Sequence, residues 1–428
     1  MMGCRMMESK LLKKCGEFID CEEIYKIIAE EVADHAGECS RDRMQRRVLI
    51  IPPDYTRCYS MAGIITQALY REYEKIGVMA DVLPAVGTHM QMSGEEKEKM
   101  FGDIPAERFL THDWKKDCVT VGTVPKEYVE AVSEGIMSEE IPVTLDEKIV
   151  NRGDWKIYSV GQVVPHEVVG MANHAKNLFV GCGGREFINA THILGAVYGM
   201  EKIIGKSETP PRKLFDYAAD LVKELPLTYI QTVVGMEEGE AELKGIFISE
   251  GRKAFEEAAM LAEKVNIIHT PKRYKKVVAR LDENEFKSTW VGNKAVYRTR
   301  MMVDDGGELI ILAPGVEMFG ENEETDTQIR RYGYKGRDYV LRAMNKNNDL
   351  SRMSAAHLIH GSSDGRFKIT YCTEKLSKEE IEGVGYAWMS VNEAESLYSG
   401  LKEGVNEKNG EEIYFVGAPA MGLWACKE

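Results

Sequence analysis

The chain has no cysteines in C-x-x-C spacing. Its nine cysteines stand at 4, 15, 21, 39, 58, 118, 182, 372 and 426. Thiols scattered through a large acidic chain fit a reducing compartment, so a cytoplasmic location is expected. A run of about 18 apolar residues, enough to span a bilayer, is missing. The opening residues MMGCRMMESKLLKKCG carry no apolar h-region, so no secretory signal is expected. Positive charge is in short supply: 55 Lys and Arg against 69 Asp and Glu leave a net charge of −14. Such a balance repels a phosphate backbone, and a nucleic-acid partner is not expected. The densest basic stretches, Arg41 to Arg47 and Lys272 to Lys276, are short and read as solvated surface. Several chemical signatures are missing too. There is no G-x-G-x-x-G after a strand, no Walker A sequence, no H-E-x-x-H and no G-x-S-x-G. Neither a repeat of fixed period nor a low-complexity segment appears.

What is present describes a globular α/β chain. Hydrophobic residues make up 44% and charged residues 29%, and 428 residues exceed one typical core. Apolar spacing predicts a helix over 22–32, with Ile24, Ile27, Ile28 and Val32 on one face. Val48 to Ile51 reads as a buried strand stopped by Pro52 and Pro53, followed by Asp54-Tyr55-Thr56-Arg57 and a helix over 61–76. A second unit has a strand over 81–86, ended by Gly87-Thr88-His89, and a helix opened by the Ser93-x-x-Glu96 capping box. Ligands of such sheets bind at the carboxyl ends of strands, which places Asp54, Arg57 and His89 on one edge. His112-Asp113 reads as a surface or capping pair. After strands over 155–164, a helix is expected over 193–204. Three further apolar runs lie at 228–234, 245–249 and 265–269, with a helix over 255–264. The pattern restarts after Thr270, with strands over 276–280, 308–313, 367–372 and 412–416, a helical segment over 290–300, and capping boxes at Ser377 and Ser390.

Chemistry concentrates between Pro165 and His192, PHEVVGMANHAKNLFVGCGGREFINATH. It holds three of the nine histidines, His166, His174 and His192, and one lysine, Lys176, among apolar and small residues. Asn177 to Val180 reads as a short buried strand, and the glycines at 181, 183 and 184 either admit a ligand or let two elements pack. A lysine so placed is partly desolvated, which favours its neutral, nucleophilic form.

Four features in order resemble the nickel-pincer lactate racemase family: D-x-T-R at 54–57, G-T-H at 87–89, the His166, Lys176, His192 series with spacings of ten and sixteen, and an aromatic-x-x-x-Lys segment from Trp290 to Lys294. The central spacing is the specific part. The resemblance implies two α/β domains, 1–270 and 271–428, with the active site in the cleft between them. The first would carry the cofactor tether and the histidines, the second the substrate-side residues. It further implies racemase or epimerase chemistry at C2 of a 2-hydroxy acid, and a nickel-pincer nucleotide tethered to Lys176. His192 would ligate nickel, and His89 and His166 would form the acid/base pair while the C2 hydrogen leaves as hydride. Asp54 and Arg57 would lie near the cofactor, with Arg57 and Lys294 on the substrate carboxylate. The chain departs from the family before the lysine, where Met171-Ala172-Asn173-His174-Ala175 replaces a Ser/Gly-rich run. It departs again at Val291, where the lactate enzyme has glutamine. With Trp290 and His174 as further substrate contacts, these departures tilt the expected substrate toward a sugar acid. Two other readings stay open: a zinc lyase or hydrolase built on His89, His166 and His192, and a sugar-acid binding or regulatory protein without cofactor. A small-molecule partner is expected in each, with no membrane or nucleic acid.

Overall fold

A computed structural model describes residues 12–16, 18–38, 47–151, 155–237 and 239–427. The basic stretch 41–46 lies outside the described residues. The run Val48 to Ile51 forms the strand Arg47–Ile51, and all four of those side chains are buried. Buried on both faces, it belongs inside a parallel sheet. It lies between Trp155–Gln162 and Met79–Val82, parallel to both. The full six-stranded order is Leu12–Cys15, Glu240–Ser249, Leu227–Glu237, Trp155–Gln162, Arg47–Ile51, Met79–Val82, the first two being antiparallel to their neighbours. A second six-stranded sheet runs Ala387–Met389, Lys368–Cys372, Val303–Leu312, Tyr274–Arg280, Glu411–Val416, Gly404–Lys408. All of its pairings are parallel except the last. Helices and loops cover both sheets, so the protein is α/β, as the alternating pattern implies.

The last strand, Leu423–Cys426, pairs in parallel with Ile267–Thr270, the strand that leads from the first sheet to the second. The helix Arg352–His360 from the second half packs on Arg185–Tyr198 from the first. Arg352 adds an ion pair with Glu139. Among the described residues, no helix is long and apolar enough to cross a membrane.

Three local expectations are corrected. The strand expected over 177–180 is instead the end of the helix Ala175–Phe179, with Val180 as its C-cap. The expected helix over 193–204 begins earlier, as Arg185–Tyr198, so His192 sits inside it. His112 is not a surface residue: its ring is fully buried and its Nδ1 lies 2.7 Å from Asp146 Oδ2. The helices in 210–221, 323–346 and 352–360 were not anticipated. The Ser93 and Ser377 capping boxes form with both reciprocal bonds. At Ser390 the hydroxyl accepts from Glu393 N.

Candidate active site

Pro52 and Pro53 stop the first central strand, and Asp54 caps the short 3-10 turn Tyr55–Ser60. Its two carboxylate oxygens divide their work. Oδ1 accepts from Thr56 N at 3.2 Å and Thr56 Oγ1 at 2.6 Å, and Oδ2 lies 2.6 Å from His89 Nδ1. His89 follows a tight turn in which Gly87 has φ +58° and a Cβ would come within 3.0 Å of Val180 O. Burial opposes charge on both partners. On Asp54 the adjacent His89 outweighs it and holds the carboxyl below its ordinary range. On His89 the Asp54 carboxylate outweighs it and holds the imidazole above its usual value. Neutral His89 therefore keeps its proton on Nδ1, toward Asp54, and a lone pair on Nε2.

Lys176 is positioned by backbone geometry. The chain turns through two positive-φ residues, Asn173 at 66° and His174 at 57°, immediately before the helix Ala175–Phe179. With ψ at −135°, His174 lies outside the left-handed helical region and is strained there. The turn is pinned by the fully buried Arg212, which donates to Met171 O and, at 3.3 Å, to Asn173 O. Asn177 Nδ2 ties the helix to the strand ends by donating to Ile51 O at 3.1 Å and Ser159 Oγ at 3.0 Å. Burial, then the Arg57 charge, lowers the Lys176 amine to about 8. The following glycines serve packing: a Cβ at Gly181 would lie 2.5 Å from Ala85 Cβ, and one at Gly183 would lie 2.0 Å from Phe179 O.

In Arg185–Tyr198, His192 Nδ1 donates to Ile188 O at 2.7 Å, so Nε2 keeps its lone pair. Burial, then Lys176, lowers its pKa to about 4. His166 is the reverse case. The Val168 N–H donates to its Nδ1 at 3.1 Å, which leaves the proton of the neutral ring on Nε2. Burial, then Lys176 and Arg57, puts its pKa well below the usual value. In none of the three histidines does Nε2 have a protein partner among the described residues.

One cavity of about 200 Å³ brings these groups together. Asp54, Arg57, His89, His166, Lys176 and His192 line it from the first half. Trp290 and Lys294 line it from the second. Lys294 lies at the start of the helix Lys294–Thr299, its pKa lowered by burial and then by Arg57. His174 is a correction: it does not line the cavity. Its ring stacks on Tyr229, centroids 4.0 Å apart, and it is 4% exposed, so no substrate contact comes from it. Glu167, His357 and His360 also line the cavity and were missed. Glu167 directly follows His166 and offered a signal; the other two sit in a helix with no motif around it. The buried Arg298 was missed as well. Burial works against the Glu167 carboxylate, but Arg298 holds it below its ordinary value.

Zinc on three histidines is not supported by the geometry. Among the described residues, the group bringing three ligand atoms within 4.8 Å of one another is His112, Asp117 and Asp146. There the Lys148 ammonium already stands 2.7 Å from Asp117 Oδ2.

Residues 20–202 match the family described as "Lactate racemase N-terminal domain". A structural-genomics crystal structure of a Thermotoga maritima protein superposes with a TM-score of 0.84 at 24% identity, over 97% of this chain and 100% of that one. The lactate racemase apoprotein from Thermoanaerobacterium thermosaccharolyticum superposes with a TM-score of 0.70 at 16% identity, over 96% and 94% of the two chains. No curated protein matches the chain in sequence.

Proposed function

We propose that the chain is a member of the lactate racemase-like family, whose N-terminal domain its residues 20–202 match, and that it is an isomerase inverting C2 of a 2-hydroxy acid. The observation carrying this reading is the convergence on one cavity of a desolvated lysine, a histidine with a free Nε2 lone pair, and two histidines shifted in opposite directions. Groups whose environments push their pKa values apart suit paired acid and base work.

The donor set fits the family's nickel-pincer nucleotide. Lys176 is the amine that would carry it, and His192 Nε2 the nitrogen that would bind nickel, with Asp54 and Arg57 beside it. An imidazole whose other nitrogen donates to a backbone carbonyl is the usual form of a histidine ligand. When bound, the group supplies a hydride acceptor for C2. The protein's residues do the rest. Arg57 and Lys294 hold the substrate carboxylate, the guanidinium by its fork and the ammonium as a point charge. His89 takes the hydroxyl proton on Nε2 while Asp54 stabilises the resulting imidazolium. His166 presents its Nε2–H to the same oxygen. His89 returns the proton once the flat 2-keto acid has turned to offer its other face, so that the hydroxyl is restored with C2 inverted.

The test uses the full chain from a host that makes the cofactor. Single enantiomers of 2-hydroxy acids are followed by NMR in heavy water. Inversion without deuterium at C2 is expected, because a hydrogen moved as hydride does not exchange with solvent. Deuterium entering at the pace of inversion would replace hydride transfer with proton abstraction by the same two histidines. No inversion of any 2-hydroxy acid by protein bearing an adduct on Lys176 would sink the enzymatic reading.

A further inference from the structure

The helix Arg352–His360 turns Met353, Ala356, His357 and His360 toward the cavity, the i, i+3, i+4, i+7 spacing of one helical face. His357 is 6% exposed and both its ring nitrogens are engaged. Nδ1 lies 3.0 Å from the Tyr297 hydroxyl and Nε2 2.8 Å from the Tyr334 hydroxyl. Their directions follow from two neighbouring bonds. Thr289 Oγ1 donates to Phe319 O at 3.0 Å, so at 2.8 Å it must accept from Tyr334. With its proton directed to Thr289, Tyr334 must accept from His357 Nε2–H. Nδ1 then accepts from the Tyr297 hydroxyl. One neutral tautomer satisfies the whole chain. Burial, then His360, keeps that ring neutral by lowering its pKa to about 3.

A ring bound in this way has no proton to trade with a substrate, and what it offers is its face. Trp290 lies flat against it, centroids 4.2 Å apart and planes at 27°. The loop closes through the backbone: Thr289 directly precedes Trp290, and Trp290 N donates to the same Phe319 carbonyl at 2.9 Å. Ring and indole are therefore held in one register. Resting on the reading of a 2-hydroxy acid isomerase, we propose that His357 is a positioning residue that fixes the Trp290 indole as a flat wall for the C–H face of the substrate beyond C2. Acids with an extended carbon chain, aryl or polyol, gain from that wall. Lactate, with a single methyl there, gains least.

The test is calorimetric binding of 3-phenyllactate, gluconate and lactate to the full chain, with and without cofactor. In the native protein one of the two longer acids binds roughly tenfold more tightly than lactate. Tyr334→Phe removes the partner of Nε2, and Trp290→Ala removes the wall. Each weakens the longer acid roughly tenfold and lactate less than about twofold. A purely structural role for the chain would lower the melting temperature of Tyr334→Phe and leave the ratio between acids unchanged. An unchanged ratio in both variants overturns this proposal and leaves the 2-hydroxy acid reading standing. Native protein that binds none of the three acids overturns both.

Discussion

Asp54 and His89, 35 residues apart, meet at 2.6 Å because two adjacent parallel strands deliver them to one sheet edge. Their contact has a pH signature. His89 has a raised folded pKa, so its stabilisation is fully present below the unfolded value near 6.5 and is lost as pH rises through the folded value. Asp54 has a lowered folded pKa, so its share is present above the unfolded value of 3.8 and is lost as pH falls through the folded one. The difference in melting temperature between native protein and His89→Ala should peak between these limits, at about pH 4 to 6.5, and shrink on both sides. A difference that is flat with pH would show that the pair contributes no linked protons.

Lys176 should titrate far from an ordinary surface lysine. With its amine at about 8, its modification by an amine-selective reagent should rise steeply through pH 8, before other lysines react, when followed by peptide mass mapping. Protein from a host that makes the cofactor should carry an added mass on this lysine and resist the reagent there. Active protein with an unmodified Lys176 would refute the tether.

Nickel content separates the histidines. His192→Ala should lose nickel, whereas His89→Ala and His166→Ala should keep it and lose turnover, because a ligand bonds the metal and an acid or base does not. Metal analysis of the three purified variants decides this. Full nickel in His192→Ala would refute the ligand assignment.

Arg212 supports the lysine from behind. Replacing it with Ala strips two backbone carbonyls, Met171 O and Asn173 O, of charge-assisted hydrogen bonds. At roughly 1.5–3 kcal/mol each, the loss should be about 3 kcal/mol or more in denaturant unfolding. It should also loosen the strained turn, raising the Lys176 titration toward its ordinary value. His174→Phe is the contrasting case. It keeps the stack on Tyr229, and it should leave affinity for 2-hydroxy acids unchanged, since the ring lies outside the cavity.

Much of this protein was legible because its signals are local. The apolar run Val48 to Ile51 between a charged stretch and two prolines specifies a parallel-sheet strand from its own side chains. The same holds for 308–312 and for the capping serines at 93 and 377. Asp54, Arg57 and His89 were legible as site residues because they directly follow such strands, where an α/β sheet exposes its loops. Residues 177–180 misled because Leu178, Phe179 and Val180 are apolar in either conformation. A four-residue run does not distinguish a period of 2 from one of 3.6, and the positive-φ turn at Asn173 and His174 that precedes the helix is held by Arg212, some forty positions away. Where a side chain points was decided by tertiary structure alone. His174 and His166 belong to one short stretch, yet one packs on Tyr229 and the other reaches the cavity. His112 is buried by Asp146, and His357 is fixed by tyrosines 60 and 23 residues distant. The physical reason is that a histidine's role depends on what binds each ring nitrogen, and those partners come from elements that meet only after the two sheets have packed.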